Sequence, residues 1–359
     1  MIRWRRGTVQ QVVRGWRGAV ELTVTLTARS TDDPATVRAL AYPDLVGTPQ
    51  PGDEVLLNTN ALALGLGTGG YALVVAVPDR LPEDTPPLGH IVKARYSPLQ
   101  TIRLAADEEG SPHRAALAAA DSLDGMPVIT ADLHSALPAI LAGIRADAPH
   151  ARVAYVLTDG GALAAGFSRT LDALHDSLAG TVTTGQAWGG DLEAVNIHGG
   201  LLAARHALRA DIAIVSQGPG NLGTGTVWGF SGTAVGEAVN AAAVLGGRPV
   251  GALRVSDADA RDRHQGVSHH SLTAYGRVAL APADLVLPDN LTAELRERVD
   301  ADLAPLTARH RVVTVAGDGL DEALRSVPVK LSTMGRGLDG DYAYFLTCAA
   351  AGRHAAALT

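Results

Sequence analysis

The chain has one cysteine, Cys348, among its 359 residues. A lone thiol excludes a disulfide framework and any zinc site built on cysteines, and it suits a reducing cytoplasm, which is the expected location. Cys348 lies in the apolar run YFLTCAAAG, where a free cysteine acts as a small buried hydrophobe rather than a nucleophile. An excess of basic charge is also missing. The formal net charge of −7 opposes a role in wrapping nucleic acid, which needs a concentrated basic surface. The short basic start, Arg3, Arg5 and Arg6, reads as a solvated strand edge. No stretch reaches the roughly 18 continuous apolar residues of a membrane span, and no signal-peptide core follows the first arginines, so neither membrane insertion nor secretion is expected.

What is present is core-forming residues and glycine. Hydrophobic residues make up 47% and charged residues 19%, which fits a compact fold and excludes wholesale disorder. The length favours two domains over one. Glycine, 40 residues in all, clusters at Gly65–Gly70, Gly185–Gly190 and Gly218–Gly232, where the backbone must bend sharply or approach a ligand.

Two patterns divide the chain. GTVQQVV, AVELTVTLT, TVRALAY, EVLLNT and YALVVAV are β-branched runs with turn punctuation, and they predict a small N-terminal β-barrel over residues 1–88. The proline-rich 78–90 reads as a linker. In the remainder, assigned as a Rossmann-like α/β domain over 89–359, the runs PVITA, RVAYVLT, GTVTT, DIAIVSQ, PVGALRV, ADLVLP and RVVTVAG alternate with helical segments. These lie near 134–147, 165–178, 191–208, 233–245, 268–276, 291–304 and 319–326, with a further docked helix at 338–357. This alternation predicts a doubly wound, mostly parallel sheet with helices on both faces.

In such a sheet, ligands bind outside the carboxyl ends of the strands. Polar and glycine residues follow five of the runs: Asp132, His134 and Ser135, which also fit a helix cap with a solvent-facing histidine; Asp159-Gly160-Gly161, which also fits turn chemistry; Gly185 to Asp191, with Trp188 able to stack on a planar ligand or to pack in the core or an interface; Gly218 to Gly225; and RVSDADARDRHQGVSHHS, Arg254 to Ser271. The last is the densest in chemistry. Asp257, His264, His269, His270 and, from another strand end, Asp159 are candidate catalytic groups. Three roles stay open for the stretch: divalent metal binding by carboxylate and imidazole, general acid/base catalysis, and anion clamping by Arg261 and Arg263. A salt-bridge network holding a long loop is the competing structural explanation. The spacing matches no specific metalloprotein signature, and no metal ligand or cofactor is assigned. His269 and His270, adjacent on a helix, are expected to point about 100° apart, so that only one joins His264. Ser268 is the expected cap of that helix.

GPGNLGTGT contains Gly-x-Gly-x-x-Gly after a strand, but the next helix starts too late for a dinucleotide fingerprint. Gly218, Gly220, Gly223, Thr224, Gly225 and Thr226 are instead candidates for an anion-holding nest, beside the alternative of a tight structural loop. In HIVKARY, strand alternation would set Lys93 and Arg95 on one face, either towards the rim or in solvent.

The motifs GHIVKARYSPLQ, TDGGAL, GQAWGGDLEAVN, GPGNLGTGTVWGFSG and RHQGVSHHSLTA, in this order, resemble the bacterial family called domain of unknown function 3866. The resemblance spans nearly the whole chain and implies no reaction. It departs from the family pattern at Ala164, where proline is expected. The function read from the residues is a small-molecule enzyme, a hydrolase or transferase acting on a phosphorylated, nucleotide-like or otherwise anionic ligand at the strand-end rim. A non-enzymatic metabolite or nucleotide sensor and a structural or assembly protein are the alternatives. No nucleic-acid or membrane partner is expected, and self-association into a homo-oligomer is left open.

Overall fold

The computed structural model describes residues 2–28, 33–66, 69–86 and 88–359. Gly67 and Thr68 of the first glycine cluster and Pro87 of the proline-rich stretch lie outside them. All five β-branched runs form strands, β1 (Trp4–Trp16), β2 (Ala19–Ala28), β3 (Thr36–Ala41), β4 (Glu54–Asn58) and β5 (Ala72–Ala76), closed into a barrel in the order β1-β2-β3-β5-β4. Closure corrects one expectation. The basic start is not an edge, because Trp4–Thr8 pairs with Asn58–Glu54 while the same strand pairs with β2, and Arg6 bonds Glu54 across the barrel wall at 2.8 Å. Val9, Leu22, Val24, Val55, Leu57 and Val74 fill the interior.

Residues 81–86 are exposed and without regular structure. A hairpin of Ile91–Lys93 with Thr101–Arg103 follows. The seven-residue strand expected in HIVKARY stops after three, because Ala94 and Tyr96 adopt left-handed φ of 48° and 58°. Lys93 is not solvated: its Nζ donates to the carbonyls of Gly185 at 2.9 Å and Ala194 at 3.1 Å, and it lies 3.4 Å from Glu193.

The α/β body is an eight-stranded, all-parallel sheet. Its strands are β6 (Pro127–Thr130), β7 (Val153–Thr158), β8 (Gly180–Thr183), β9 (Leu192–Glu193), β10 (Ile212–Gln217), β11 (Arg248–Gly251), β12 (Asp284–Pro288) and β13 (Arg311–Val315). They lie side by side in the order β9-β8-β7-β10-β6-β11-β12-β13. The chain therefore runs outward to β9, returns to insert β10 beside β6, and then builds the other half. The turning point lies between β10 and β6, where a narrow crevice lined by Asp132 and Gln217 lies at the strand ends.

Period-two alternation sends Val153, Tyr155 and Leu157 to one face and Ala154 and Val156 to the other. The first face is covered by α1 (Leu137–Asp147), α7 (Leu320–Arg325) and α8 (Tyr342–Ala356). The second is covered by α3 (Ile197–Leu202), α4 (Ala234–Val244), α5 (His269–Thr273) and α6 (Ala293–Leu303). Thirteen of the 15 residues of α8 are buried, so this helix is a core layer rather than a docked appendage. Cys348 lies inside it, and burial pushes its thiol pKa up, in keeping with an inert core residue.

Two expected helices are cut short. At 165–178 the chain makes a short turn and then α2 (Arg169–Ala173), because Ser168 accepts from the Leu171 amide and starts a new helix. At 191–208 the edge strand β9 comes first, and α3 begins only after Asn196 caps it by accepting from Gly199 N–H.

The barrel sits on the α/β body through Trp16, whose indole N–H donates to the Gly166 carbonyl at 2.6 Å, and through the Arg17–Asp191 pair. Trp188, considered for ligand stacking, meets Tyr42 of the barrel edge-on at 6.2 Å.

Helices α1 and α8 cross at their backbones. A β-carbon on Gly143 would collide with the carbonyl of Ala349, and one on Gly352 with that of Ile140. Gly143→Ala or Gly352→Ala should therefore cost about 3 kcal/mol, read as a lowered denaturation midpoint. Ala164→Pro should have the opposite sign, raising stability by about 0.5 kcal/mol in the same assay. Ala164 has φ of −79°, and the bridge to Trp188 uses the Leu163 carbonyl and the Ala165 amide, leaving the Ala164 N–H out of it.

Candidate functional site

The crevice between β10 and β6 is floored by Gln217, the last residue of β10, and Asp132, two residues beyond β6. Gln217 Nε2 donates to the Asp132 carbonyl at 2.8 Å, which ties the two strand ends together. The Asp159-Gly160-Gly161 turn closes one side. Its glycines are required by close approach: a β-carbon on Gly160 would strike Gln217 Oε1, and one on Gly161 the Gly218 carbonyl. On the other side stand Phe230 and His270, stacked at 3.9 Å with their rings 1° from parallel.

Three histidines meet here. His264, His269 and His270 bring one ligand nitrogen each within 4.8 Å of one another. This overturns the expectation that only one of the adjacent pair could join His264. The 100° offset applies to the Cα–Cβ directions, and rotation about two side-chain torsions returns the rings to a centroid spacing of 4.4 Å. Ser268 caps α5 as expected, accepting from His270 N–H at 3.2 Å, and its hydroxyl also bonds His264 Nδ1 at 2.7 Å. Burial pushes His264 down to about 3 and His269 down to about 4, with Arg254, Arg261 and His270 adding repulsion, so both rings are neutral at pH 7.

Among the described residues, the crevice contains most of the buried side-chain polar atoms that lack a hydrogen-bond partner. Six buried side-chain polar atoms lack a partner among the described residues. Two belong to Arg103; the others are Asp132 Oδ2, Gln217 Oε1, His269 Nε2 and His270 Nδ1. Asp132 Oδ2 and His270 Nδ1 face each other at 3.5 Å.

The remaining residues singled out from the sequence distribute differently. Arg261 is held by Asp259 through two contacts of 2.9 Å, and Arg254 and Arg336 join the same carboxylate at 3.3 and 3.1 Å. Arg336 also binds Asp341, whose other oxygen takes Ser256. The charged stretch thus contains a salt-bridge network alongside its histidine cluster. Asp257 and Arg263 are exposed, with no hydrogen bond or ion pair among the described residues. Asp159 is also exposed, and its carboxylate accepts from the Gln186 amide at 2.8 Å. His134 is buried between Tyr155 and Ser168 at 2.8 and 2.6 Å, and burial lowers its pKa to about 4.

Beside the crevice lies a cleft of about 760 Å³ between the barrel and the rim. Its walls include Arg38, Arg169, Lys330 and the backbone of Gly218 to Asn221. Arg169 and Lys330 are exposed and make no ion pair among the described residues. Of the glycine loop, Gly218 and Gly220 line this cleft, whereas Gly223, Thr224, Gly225 and Thr226 do not. The two threonine hydroxyls are turned on each other and on Gly229, so they hold their own loop. Asp132 could be singled out from its place after a strand. Gln217, Phe230, Arg169 and Lys330 could not, since nothing local distinguishes them.

The Asp259 network yields a pH prediction. Hydrogen bonding to Arg261 holds the Asp259 carboxyl well below the usual range against the cost of burial. The unfolded chain takes up a proton at about pH 4 that the folded chain refuses, so this contribution is full at neutral pH and disappears as the pH falls below that value. Asp259→Asn should cost about 3–5 kcal/mol at pH 7 in urea unfolding and should flatten the acid limb of the stability profile.

No curated protein and no solved structure matches the chain. The family model described as protein of unknown function (DUF3866) matches residues 38–352, from β3 of the barrel to within the last turns of α8, and the chain belongs to that family.

Proposed function

We propose that this protein is a small-molecule enzyme, a hydrolase or transferase, that takes a phosphorylated or nucleotide-like anion into the cleft and reacts it at the β10–β6 crevice. The observation that carries this reading is the set of four unpartnered atoms, on Asp132, Gln217, His269 and His270, gathered at the turning point of the sheet. Burying polar groups without partners is costly, at about 1–3 kcal/mol each, and such a cost is commonly retained where a ligand completes the bonding.

Substrate charge is met by Arg169 and Lys330 and by the backbone of Gly218 and Gly220. These take over the role first considered for Arg261 and Arg263. Asp132 with His270 is the pair assigned to accept a proton from an attacking water or hydroxyl, in place of Asp257 with His264 or His269. Gln217 Oε1 is placed to accept a hydrogen bond from the substrate, and neutral His269 and His264 line the same wall.

Binding and turnover test this directly. Pyrophosphate and adenosine monophosphate should each raise the melting temperature, and Arg169→Ala with Lys330→Ala should weaken that binding about tenfold or more. Asp132→Asn should lower turnover of the substrate found in a phosphoester screen by about 10²–10⁴-fold while the anion still binds. Undiminished turnover in Asp132→Asn, or anion binding indifferent to both cations, would defeat the assignment.

A further inference from the structure

We propose that His264, His269 and His270 bind one divalent transition-metal ion of the zinc class, with Asp132 as a fourth, carboxylate ligand. Among the described residues these three histidines form the one group whose ligand atoms converge in this way. Imidazole nitrogens with a single carboxylate are the donor set of zinc, and of manganese or iron when positions stay open.

Three further observations point to an ion rather than to a packed histidine cluster. First, His269 Nε2, His270 Nδ1 and Asp132 Oδ2 are buried without a hydrogen-bond partner among the described residues. Second, the 3.5 Å between His270 Nδ1 and Asp132 Oδ2 is long for a hydrogen bond but close to the roughly 3.3 Å edge of a tetrahedron built on metal–nitrogen bonds of about 2.0–2.1 Å. Third, the rings are held from behind. Ser268 takes His264 Nδ1 at 2.7 Å, which leaves Nε2 as the ligating nitrogen when Nδ1 donates, and Phe230 fixes the plane of His270. Outer contacts of this kind orient metal ligands.

The neighbouring cations do not preclude a dication. Arg254 and Arg261 are both tied to Asp259, and Arg336 to Asp259 and Asp341. Asp132 brings its own negative charge to the cluster. Closing the 4.8 Å spread of the three histidine nitrogens to tetrahedral edges requires movements on the order of 1 Å, and Asp132, which lies outside that spread, joins them through its 3.5 Å approach to His270. The ring of His269, which is part-exposed and carries no hydrogen bond, is the one free to make most of that movement.

The inference rests on the reading of this crevice as a reaction site and replaces the role given there to Asp132 and His270, which with the ion bound are ligands rather than proton acceptors; metal titration separates the two. The full chain, stripped with a chelator, is titrated with cobalt(II) and then with zinc. The expected result is one equivalent of cobalt with the intense visible absorption of a four-coordinate site, displaced stoichiometrically by zinc. His269→Ala should weaken zinc binding at least tenfold with its circular dichroism and melting of the metal-free chain unchanged, and Asp132→Asn should weaken it as well. Cobalt uptake at one equivalent that His269→Ala abolishes supports the metal site whether or not adenosine monophosphate binds the cleft. Adenosine monophosphate binding without cobalt uptake overturns the metal site and leaves the cleft standing. Zinc affinity unchanged in both His269→Ala and His270→Ala overturns it equally.

Discussion

The crossing of α1 and α8 is the contact on which the rest of the α/β body depends. Gly143 and Gly352 bring two helices together at backbone distance, so α8 can lie flat on the sheet instead of riding on side chains. In that position it buries nearly all of its surface against β12 and α1. A helix with so little exposed surface has no amphipathic stripe. Its run of small residues, Ala349 to Gly352, is the signature of close packing rather than of weak structure.

The same helix also fixes the rim. Asp341, immediately before it, holds Arg336 and Ser256, and Arg336 reaches Asp259, so the loop carrying His264 is anchored to the first turn of α8. Tyr344, one turn further on, bonds Ser135 at 3.1 Å, three residues after Asp132. The two walls of the crevice therefore take their positions from one buried element. The charged network and the histidine cluster are consecutive parts of one support. The carboxylates and guanidinium groups satisfy one another, and the imidazoles and Asp132 are left with unmet capacity.

Barrel and sheet were legible in the sequence because alternation and β-branching are local signals, and every barrel run became a strand. Short elements were not. β9 has two residues, and only the capping of α3 by Asn196 reveals where the expected helix gives way to it. The density of chemistry in 254–271 was also visible, but the division of labour within it was not. Which arginine is spent on Asp259 depends on Arg336, 77 residues away from that aspartate, and the partner of His270 comes from the loop after β6. Convergence of the histidines was not legible, because the 100° offset of adjacent helical residues constrains only backbone direction while side-chain rotation decides where the rings meet. Arg169 and Lys330 carry no local pattern; only the folding of distant segments onto one cleft brings them together.

Where the barrel meets the α/β body, Gly18 and Gly166 touch backbone to backbone, with the hydrophobic cluster of Trp16, Leu40, Tyr42 and Phe167 around them. An interface of this kind is a fixed joint, not a hinge, since any sliding would drive main-chain atoms into each other. The barrel is then a stationary wall of the cleft. Asn221 and Met334, which also line the cleft, lie outside that joint, so any change in the width of the cleft would come from their segments rather than from the barrel.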